Sequence, residues 1–192
     1  MKQAKQYVAI ALLLLLCIVV YWNSLHGEFQ FDDDHLIRFN FSLRNFWDWK
    51  GIAASEKFRP LTMMTFAFNY SIGQQNTFSY HLTNLILHMV TVWLFLLLLK
   101  RHAVSLLFAF FSAALFALHP LNSEAVAYIS SRSILLCAVF VLASILSFDS
   151  YVRTKKVKFA VGFFLFFLLG ALAREEAALI PFLALIYDFV FF

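Results

Sequence analysis

The sequence predicts an all-α integral membrane protein, a single membrane domain of about six spanning helices with a long outer loop after the first. Charged residues make up 14% of the 192 residues, where about 25% is usual in soluble domains. The mean hydropathy is +0.79. Several apolar runs approach the roughly 20 residues that a helix needs to cross the hydrocarbon core. These features exclude an ordinary soluble domain.

Six apolar runs define the predicted spans. In chain order they cover residues 7–22, 80–99, 104–118, 133–151, 159–173 and 177–192. No small-residue cleavage site follows the first run, so an uncleaved helix is favoured over a signal peptide. The first outer loop, residues 23–79, mixes aromatic and charged residues, which is typical of helices lying at a membrane interface. Residues 119–132 form the second outer loop.

The basic residues predict the orientation of these spans. With the N-terminus in the cytoplasm, every compact basic cluster falls on the cytoplasmic side, as the positive-inside rule requires: Lys2, Lys5, Lys100, Arg101, Arg153, Lys155, Lys156 and Lys158. The unusual polar residues then share the extracytoplasmic side: Asp32, Asp33, Asp34, His119, Glu124, Arg132, Arg174, Glu175 and Glu176. A prokaryotic plasma membrane or the ER is the expected location. The basic residues form no stripe, which excludes nucleic acid as a partner.

The first polar motif is FQFDDDH, shortly after the first span. Three adjacent carboxylates in so apolar a chain have two interpretations. In one, they form a solvated acidic turn in which Asp34 caps a short helix. In the other, Asp32 and Asp33 supply a general base or bind a divalent cation. Successive side chains of an extended segment do not point the same way, so the sequence leaves metal binding open.

The second polar motif is HPLNSEAVAYISSR, which begins at His119 in the second outer loop. Glu124, Tyr128 and Arg132 are four residues apart and share a helix face. One interpretation is a surface Glu–Arg pair on an interfacial helix. In the other, Glu124 is an acid that faces the first motif, and Arg132 binds a phosphate through its planar fork of donors.

The second predicted span carries three polar residues on one face, His81, Asn84 and His88. Hydrogen bonds between helices are the favoured interpretation, because the spacing does not match a two-histidine metal site. The remaining polar candidates lie in turns: Arg59, Arg174 and Glu175.

Together these stretches resemble one family. The ordered segments NSLHGEFQFDDDHLIRFN, FRPLTMMTFAFNY, YHLTNLILH, LHPLNSEAVAYISSR and AREEAALIP are similar to the membrane region of the transmembrane and tetratricopeptide-repeat O-mannosyltransferases and their prokaryotic relatives, which are GT-C glycosyltransferases. The resemblance covers about residues 7–190. It implies many spanning helices, a long first outer loop, and a sugar donor linked to polyprenyl or dolichyl phosphate that is used on the non-cytoplasmic side.

The resemblance also implies roles for individual residues. Asp32 matches the catalytic base of the first loop, with Asp33 beside it as a second acid. The other matches are Glu124 for the acid of the second loop, Arg132 for the arginine after it, and Arg174-Glu175 for a Lys-Glu pair at the start of a later helix. The family often has a small residue and Asp after that arginine, where this chain has Ser133 and Ile134. Members carry further spans and usually a C-terminal repeat domain, so a fragment or a minimal relative is expected.

The sequence thus predicts a membrane glycosyltransferase that inverts the anomeric centre of the transferred sugar, mannose by resemblance, on a protein or glycan hydroxyl. Asp32 is the expected base. Three arginines are expected to stabilise charge on the leaving lipid phosphate: Arg132, Arg174 and Arg59. The expected supporting residues are His81, Asn84, His88, His119, Tyr128 and Glu175. No cofactor is required, apart from an optional divalent cation at Asp32 and Asp33.

The alternative is an inert membrane scaffold or a lipid-binding fragment. In that case the acidic loop is solvated and the arginines bind lipid head groups. The two hypotheses differ in geometry, because transfer requires Asp32, Glu124 and Arg132 around one outward cavity, whereas a scaffold leaves them scattered. Membrane lipids are partners under both.

Overall fold

The computed structural model describes residues 2–102 and 105–192, with side chains from residue 4 onward. All regular structure in these two ranges is helical, which confirms the predicted all-α class. The α-helices are α1 Lys2–Tyr21, α2 Trp49–Ser55, α3 Pro60–Gly73, α4 Thr77–Arg101, α5 Leu106–Ala117, α6 Asn122–Ala127, α7 Arg132–Thr154, α8 Val157–Ala173 and α9 Ile180–Phe191. Short 3₁₀ or π turns lie between several of them: Trp22–His26, Asp34–Arg38, Phe41–Arg44, Ile129–Ser131 and Glu175–Leu179.

Three helical segments are long and apolar enough to cross a membrane: Ala4–His26, Thr77–Arg101 and Ile129–Thr154. They overlap the first, second and fourth predicted spans and support the prediction of a membrane protein. Helices α5 and α8 are apolar but shorter, with 12 and 17 residues, so the count of six spans stays a prediction. Val104, the predicted start of the third span, lies outside the described residues.

The largest apolar cluster lies between α1, α4 and α5. Leu13 of α1 and Val92 of α4 are buried in it. Ala109, Ala113 and Ala117 are four residues apart on α5 and are fully buried against these helices. Small side chains let helix backbones approach closely, which favours helix association inside a membrane.

The long segment after the first span folds into short helices and turns. Phe66 of α3 and Tyr80 of α4 pack against Ile37 and Leu43 from two short turns and against Ile52 of α2. This cluster fixes the segment against α3 and the first turn of α4. Large aromatic side chains elsewhere in the segment are exposed: Phe31, Phe39, Phe41, Trp47, Trp49 and Phe58. Their location at a membrane interface stays a prediction.

The turn after α8 depends on one close contact. A Cβ atom on Gly170 would lie 3.0 Å from the Cβ of Ala177 and 3.3 Å from that of Phe140. The missing side chain therefore lets the turn Glu175–Leu179 fold back against α7 and α8. This turn brings Arg174 next to the first turn of α7.

A network of charged residues, which the sequence did not predict, joins the ends of α4, α7 and α9. Asp149 is 0% exposed. Its carboxylate accepts hydrogen bonds from Arg101 at 2.8 Å, Arg153 at 2.9 Å and the Tyr187 hydroxyl at 3.1 Å. The Nε2 of His102 lies 2.6 Å from the same hydroxyl. Because the Tyr187 proton goes to the carboxylate, His102 is the donor in that contact.

We expect Asp149→Asn to destabilise the bundle by about 1–3 kcal/mol, because the new amide directs N–H donors at groups that already donate. The loss of stability is moderate because the side chains of Arg101 and Arg153 are 39% and 42% exposed, so water can solvate them in the variant. Unfolding in detergent micelles, followed by circular dichroism, measures the effect. Asp188→Asn changes the next acid on α9 and is the control. Equal stability of Asp149→Asn and the parent protein would contradict this account.

Candidate functional site

The Asp33 side chain joins the two polar motifs, FQFDDDH and HPLNSEAVAYISSR. The residue is 1% exposed, and the chain turns just before it at Phe31, which has a positive φ of 46°. Asp33 Oδ1 accepts the Ser130 N–H at 2.8 Å and also the Ser130 hydroxyl, while Oδ2 accepts the Gln30 N–H at 3.0 Å. Three donors to one ionised carboxylate hold it in a single orientation. Asp33 therefore connects the segment after α1 to the turn before α7.

The two neighbouring carboxylates have different surroundings. Asp32 has an exposed side chain, and its backbone N–H donates to the Tyr128 hydroxyl at 2.9 Å. Asp34 forms a partly exposed ion pair with Arg38 at 3.4 Å. Among the three acids, Asp32 has an exposed carboxylate, and its backbone is held where the two motifs are in contact.

Arg132 lies inside the helix bundle, where it is 0% exposed. Its N–H groups donate to Asn84 Oδ1 at 2.8 Å, Asn69 Oδ1 at 2.6 Å, Thr65 Oγ1 at 3.2 Å and the Tyr80 carbonyl at 3.0 Å. The guanidinium also lies over the Phe66 ring at 4.4 Å. Asn84 in turn donates to the Tyr128 carbonyl at 3.2 Å. Arg132 therefore connects α3 to the starts of α4 and α7, just after the turn that binds Asp33.

His81 and His88 each bond a backbone carbonyl of another segment. The Nε2 of His81 is 3.2 Å from the Gly27 oxygen, and that of His88 is 3.0 Å from the Ala117 oxygen. A carbonyl only accepts, so each Nε2 carries a proton and each neutral ring keeps its lone pair on Nδ1. The Nδ1 of His81 is buried without a hydrogen-bond partner.

Two arginines meet the glutamates of the turn after α8. Arg59 donates from Nε and Nη2 to the two oxygens of Glu175, at 3.3 and 2.9 Å. Arg174 Nη2 lies 2.6 Å from Glu176, and its Nη1 donates to the Ser133 hydroxyl at 3.1 Å. The hydrogen bonds from Arg59 lower the pKa of Glu175 to about 2, and the bond from Arg174 lowers the pKa of Glu176. Both carboxylates are therefore ionised at neutral pH.

Two polar cavities flank the contact between Asp33 and Ser130. The acidic cavity, about 580 Å³, is lined among others by Ser24, Glu28, Gln30, His81, Glu124 and Tyr128. The arginine cavity, about 450 Å³, is lined among others by Glu56, Arg59, Ser130, Ser133 and Glu175. Gln30 lines the first cavity and Ser130 lines the second. Both bond the Asp33 carboxylate, so Asp33 connects a residue of one cavity to a residue of the other.

An apolar cleft of about 550 Å³ lies between α4, α5 and α7. Its lining includes Phe95, Phe116, Cys137 and Val141, and its charged members are Arg174 and Glu176. Arg174 also bonds Ser133 of the arginine cavity. The same guanidinium therefore connects the apolar cleft to the arginine cavity.

Comparison with known proteins points to one family. Protein O-mannosyl-transferase F38B6.6 of Caenorhabditis elegans is 33% identical in a match that covers 93% of this chain. The human protein O-mannosyl-transferases TMTC3 and TMTC1 are 35% and 36% identical, and each match covers 76% of the chain. The chain is a homologue of the protein O-mannosyl-transferases. It spans 28%, 17% and 18% of the lengths of these three relatives. No family model and no solved structure matches.

The structure brings several of the residues suggested by the mannosyl-transferase resemblance together, but not all of them. Asp32 and Asp33 meet the second motif at Tyr128 and Ser130. Other predicted residues line the two cavities. Glu124, His81 and Tyr128 line the acidic cavity, and Arg59 and Glu175 line the arginine cavity. Arg132 is buried in the bundle, so Asp32, Glu124 and Arg132 do not surround one cavity. The geometric condition that the sequence set for a transferase is therefore not met, and the transferase hypothesis is supported instead by the homologous mannosyl-transferases.

The two remaining histidine candidates serve local or internal contacts. His88 lies deep in α4, where its Nε2 bonds the Ala117 carbonyl. The exposed His119 accepts the Leu121 N–H on Nδ1 at 3.3 Å, which stabilises the turn after α5. Neither residue contacts the acid pair at the junction of the mannosyl-transferase motifs.

The mannosyl-transferase motifs also contain site residues that the sequence did not single out, chiefly Ser130 and Ser133. Their signal was present in YISSR, where hydroxyls flank an arginine, but nothing in the sequence links Ser130 to an acid 97 positions earlier. Within residues 2–102 and 105–192, no group of three or more His, Cys, Asp or Glu side chains is suited to hold a metal ion. The Asp33 oxygens are already occupied by donors of Ser130 and Gln30.

Proposed function

We propose that the protein transfers mannose from a lipid-phosphate-linked donor to a hydroxyl of a protein acceptor, on the extracytoplasmic side of a membrane and with inversion. The names of the relatives support mannose and a protein acceptor. The observation that carries the proposal is the position of Arg174, which lines the apolar cleft and bonds Ser133 of the arginine cavity. A lipid phosphate has an apolar chain and an anionic head group. Its binding site therefore needs a cation where an apolar cleft adjoins a polar cavity.

The donor is proposed to occupy the apolar cleft and the arginine cavity together. The cleft takes the polyprenyl or dolichyl chain, and Arg174 and Arg59 stabilise the phosphate as the bond to the sugar breaks. In the structure these arginines bind Glu176 and Glu175. The incoming phosphate therefore has to replace one or both carboxylates. Arg132 is proposed to position the turn at Ser130 from inside the bundle, since its N–H groups are engaged there.

Asp32 is proposed as the general base. It takes the proton of the acceptor hydroxyl while that oxygen attacks the anomeric carbon, and the lipid phosphate leaves with the electrons of the broken C–O bond. Phosphate is a good leaving group, so no acid is required on that side. Asp33 holds the wall of the site through Ser130, and Asp32 keeps an exposed carboxylate next to it.

The sidedness of the reaction is proposed from the charge distribution. The basic clusters that follow the predicted spans favour a cytoplasmic N-terminus by the positive-inside rule. The junction of the two polar motifs then lies on the outer side, as it does in the predicted topology. Accessibility of a cysteine introduced at Phe31, tested in sealed cells with an impermeant reagent, decides this point.

The test of the donor site is binding of polyprenyl phosphate to the protein in nanodiscs. We expect Arg174→Gln to weaken binding about ten-fold, as the loss of a charge-assisted hydrogen bond implies. Arg44→Gln is the control, because Arg44 is an exposed arginine that stacks on Phe41. Mannose transfer from polyprenyl-phosphate mannose is measured in parallel. Binding without any transfer would favour the lipid-binding scaffold, and equal binding by Arg174→Gln and the parent would exclude the donor site.

A further inference from the structure

We infer that the acidic cavity is the acceptor subsite and that Glu28 and Glu124 make it prefer hydroxyl-bearing peptides with cationic residues beside the hydroxyl. The inference rests on the proposed function, which it deepens by naming the acceptor chemistry. Both glutamates line the cavity, and both side chains are exposed. In the described part of the chain, neither is held in an ion pair, and the lining contains no lysine or arginine.

The second observation is the state of His81 in the same cavity. The residue is 2% exposed, and its Nε2 is committed to the Gly27 carbonyl. Its Nδ1 is therefore an acceptor, and it has no partner. A buried acceptor without a donor costs free energy. His81 is one of the residues that line the cavity, so a ligand bound there with hydroxyl or N–H groups is the proposed source of the missing donor.

The two cavities differ in the cations that line them. Among the residues that the structure describes, the acidic cavity contains Glu28 and Glu124 and no lysine or arginine, whereas the arginine cavity contains Arg59 beside Glu56 and Glu175. We therefore assign the lipid phosphate to the side of Arg59 and Arg174, where it would replace the paired carboxylates, and a cationic peptide to the acidic cavity. Asp33 bonds residues that line both cavities, and Asp32 is its exposed neighbour in the chain. We therefore infer that acceptor and donor approach the Asp32 carboxylate from two sides.

A peptide fits these observations better than a glycan. Hydroxyl groups satisfy the His81 acceptor in either class, but a neutral glycan has no cation to neutralise the two glutamates. Carboxylates that stay unpaired in a cavity are stabilised by a ligand ammonium or guanidinium group. Lysine or arginine next to the reacting serine or threonine supplies that group.

The test is direct binding of three fluorescent peptides to the protein in nanodiscs of uncharged phosphatidylcholine. The peptides are identical except that the central threonine is flanked by two lysines, two glutamines or two glutamates. We expect the lysine peptide to bind about ten-fold more tightly than the glutamine peptide, as two partly exposed ion pairs imply. The glutamate peptide is expected to bind most weakly, and added salt should reduce these differences.

The variant Glu28→Gln with Glu124→Gln is expected to reduce the preference for lysine to within about two-fold. Glu56→Gln removes a carboxylate from the arginine cavity instead and should keep the preference. Equal binding of the three peptides overturns the inference, as does a preference that survives in the double variant. Tighter binding of a neutral mannose-containing oligosaccharide than of the lysine peptide also overturns it.

A transfer assay separates this inference from the proposed function. Charge-selective binding without mannose transfer to any peptide would overturn the transferase proposal and leave the cavity assignment intact. Mannose transfer at the same KM for all three peptides would support the transferase and overturn the acceptor subsite. Transfer with the lowest KM for the lysine peptide supports both.

Discussion

Asp32→Asn is expected to lower mannose transfer by about 10²–10⁴-fold, because the variant has no base for the acceptor proton. The fold should survive, since the Asp32 side chain is exposed and the residue is held by its backbone N–H, which donates to Tyr128. The measurement is the rate of transfer from polyprenyl-phosphate mannose to a threonine peptide, with the melting temperature in micelles as the check on folding. Unchanged transfer by Asp32→Asn would remove the residue from the mechanism.

The adjacent acids provide matched controls. Asp34→Asn removes a carboxylate that pairs with Arg38 on the surface, so nearly full activity is expected. Asp33→Asn should instead lower stability by about 1–3 kcal/mol, because one of its atoms becomes an N–H donor facing existing donors. If Asp33→Asn keeps its stability but loses all transfer, Asp33 rather than Asp32 would be the proposed base.

The sequence was sufficient to predict an all-helical, apolar chain and its family, whereas the count of six spans stays a prediction. Apolar runs are local features, and the helices around Leu13, Val92 and Leu135 follow from them directly. The resemblance also depended on local motifs, which are readable without a structure. The contact between FDDD and YISSR could only be suggested, because it joins residues 97 positions apart and no local pattern encodes such a pairing.

Burial was the property that the sequence did not reveal. Arg132 and Arg174 look equivalent as arginines near the ends of predicted spans. Their burial differs because Asn69 of α3 and Asn84 of α4 enclose Arg132. Asp149 was overlooked for the same reason, since its partners belong to three helices. Packing between helices, rather than the pattern along one helix, sets these environments.

Arg132→Met is expected to have the largest effect on stability, a loss of about 3–5 kcal/mol. The variant fills much of the space but leaves Asn84 Oδ1, Asn69 Oδ1 and the Tyr80 carbonyl without the donors they now have. The stability of Arg132→Lys should lie between those of Arg132→Met and the parent protein, because an ammonium keeps the charge but does not reproduce the planar fork of the guanidinium. Unfolding of the purified proteins in micelles measures this order of stability.

The same variant separates a positioning role for Arg132 from the phosphate-binding role that its place in the motif predicted. If Arg132 positions the turn at Ser130, stability and transfer fall together, and Arg132→Lys recovers part of both. If it binds the donor phosphate, Arg132→Met keeps its stability and loses affinity for polyprenyl phosphate, as Arg174→Gln is expected to do. Complete burial, with the N–H groups of Arg132 donating to acceptors on α3 and α4, favours the first outcome. Arg44→Met, which removes an exposed arginine stacked on Phe41 at 4.2 Å, should change neither property.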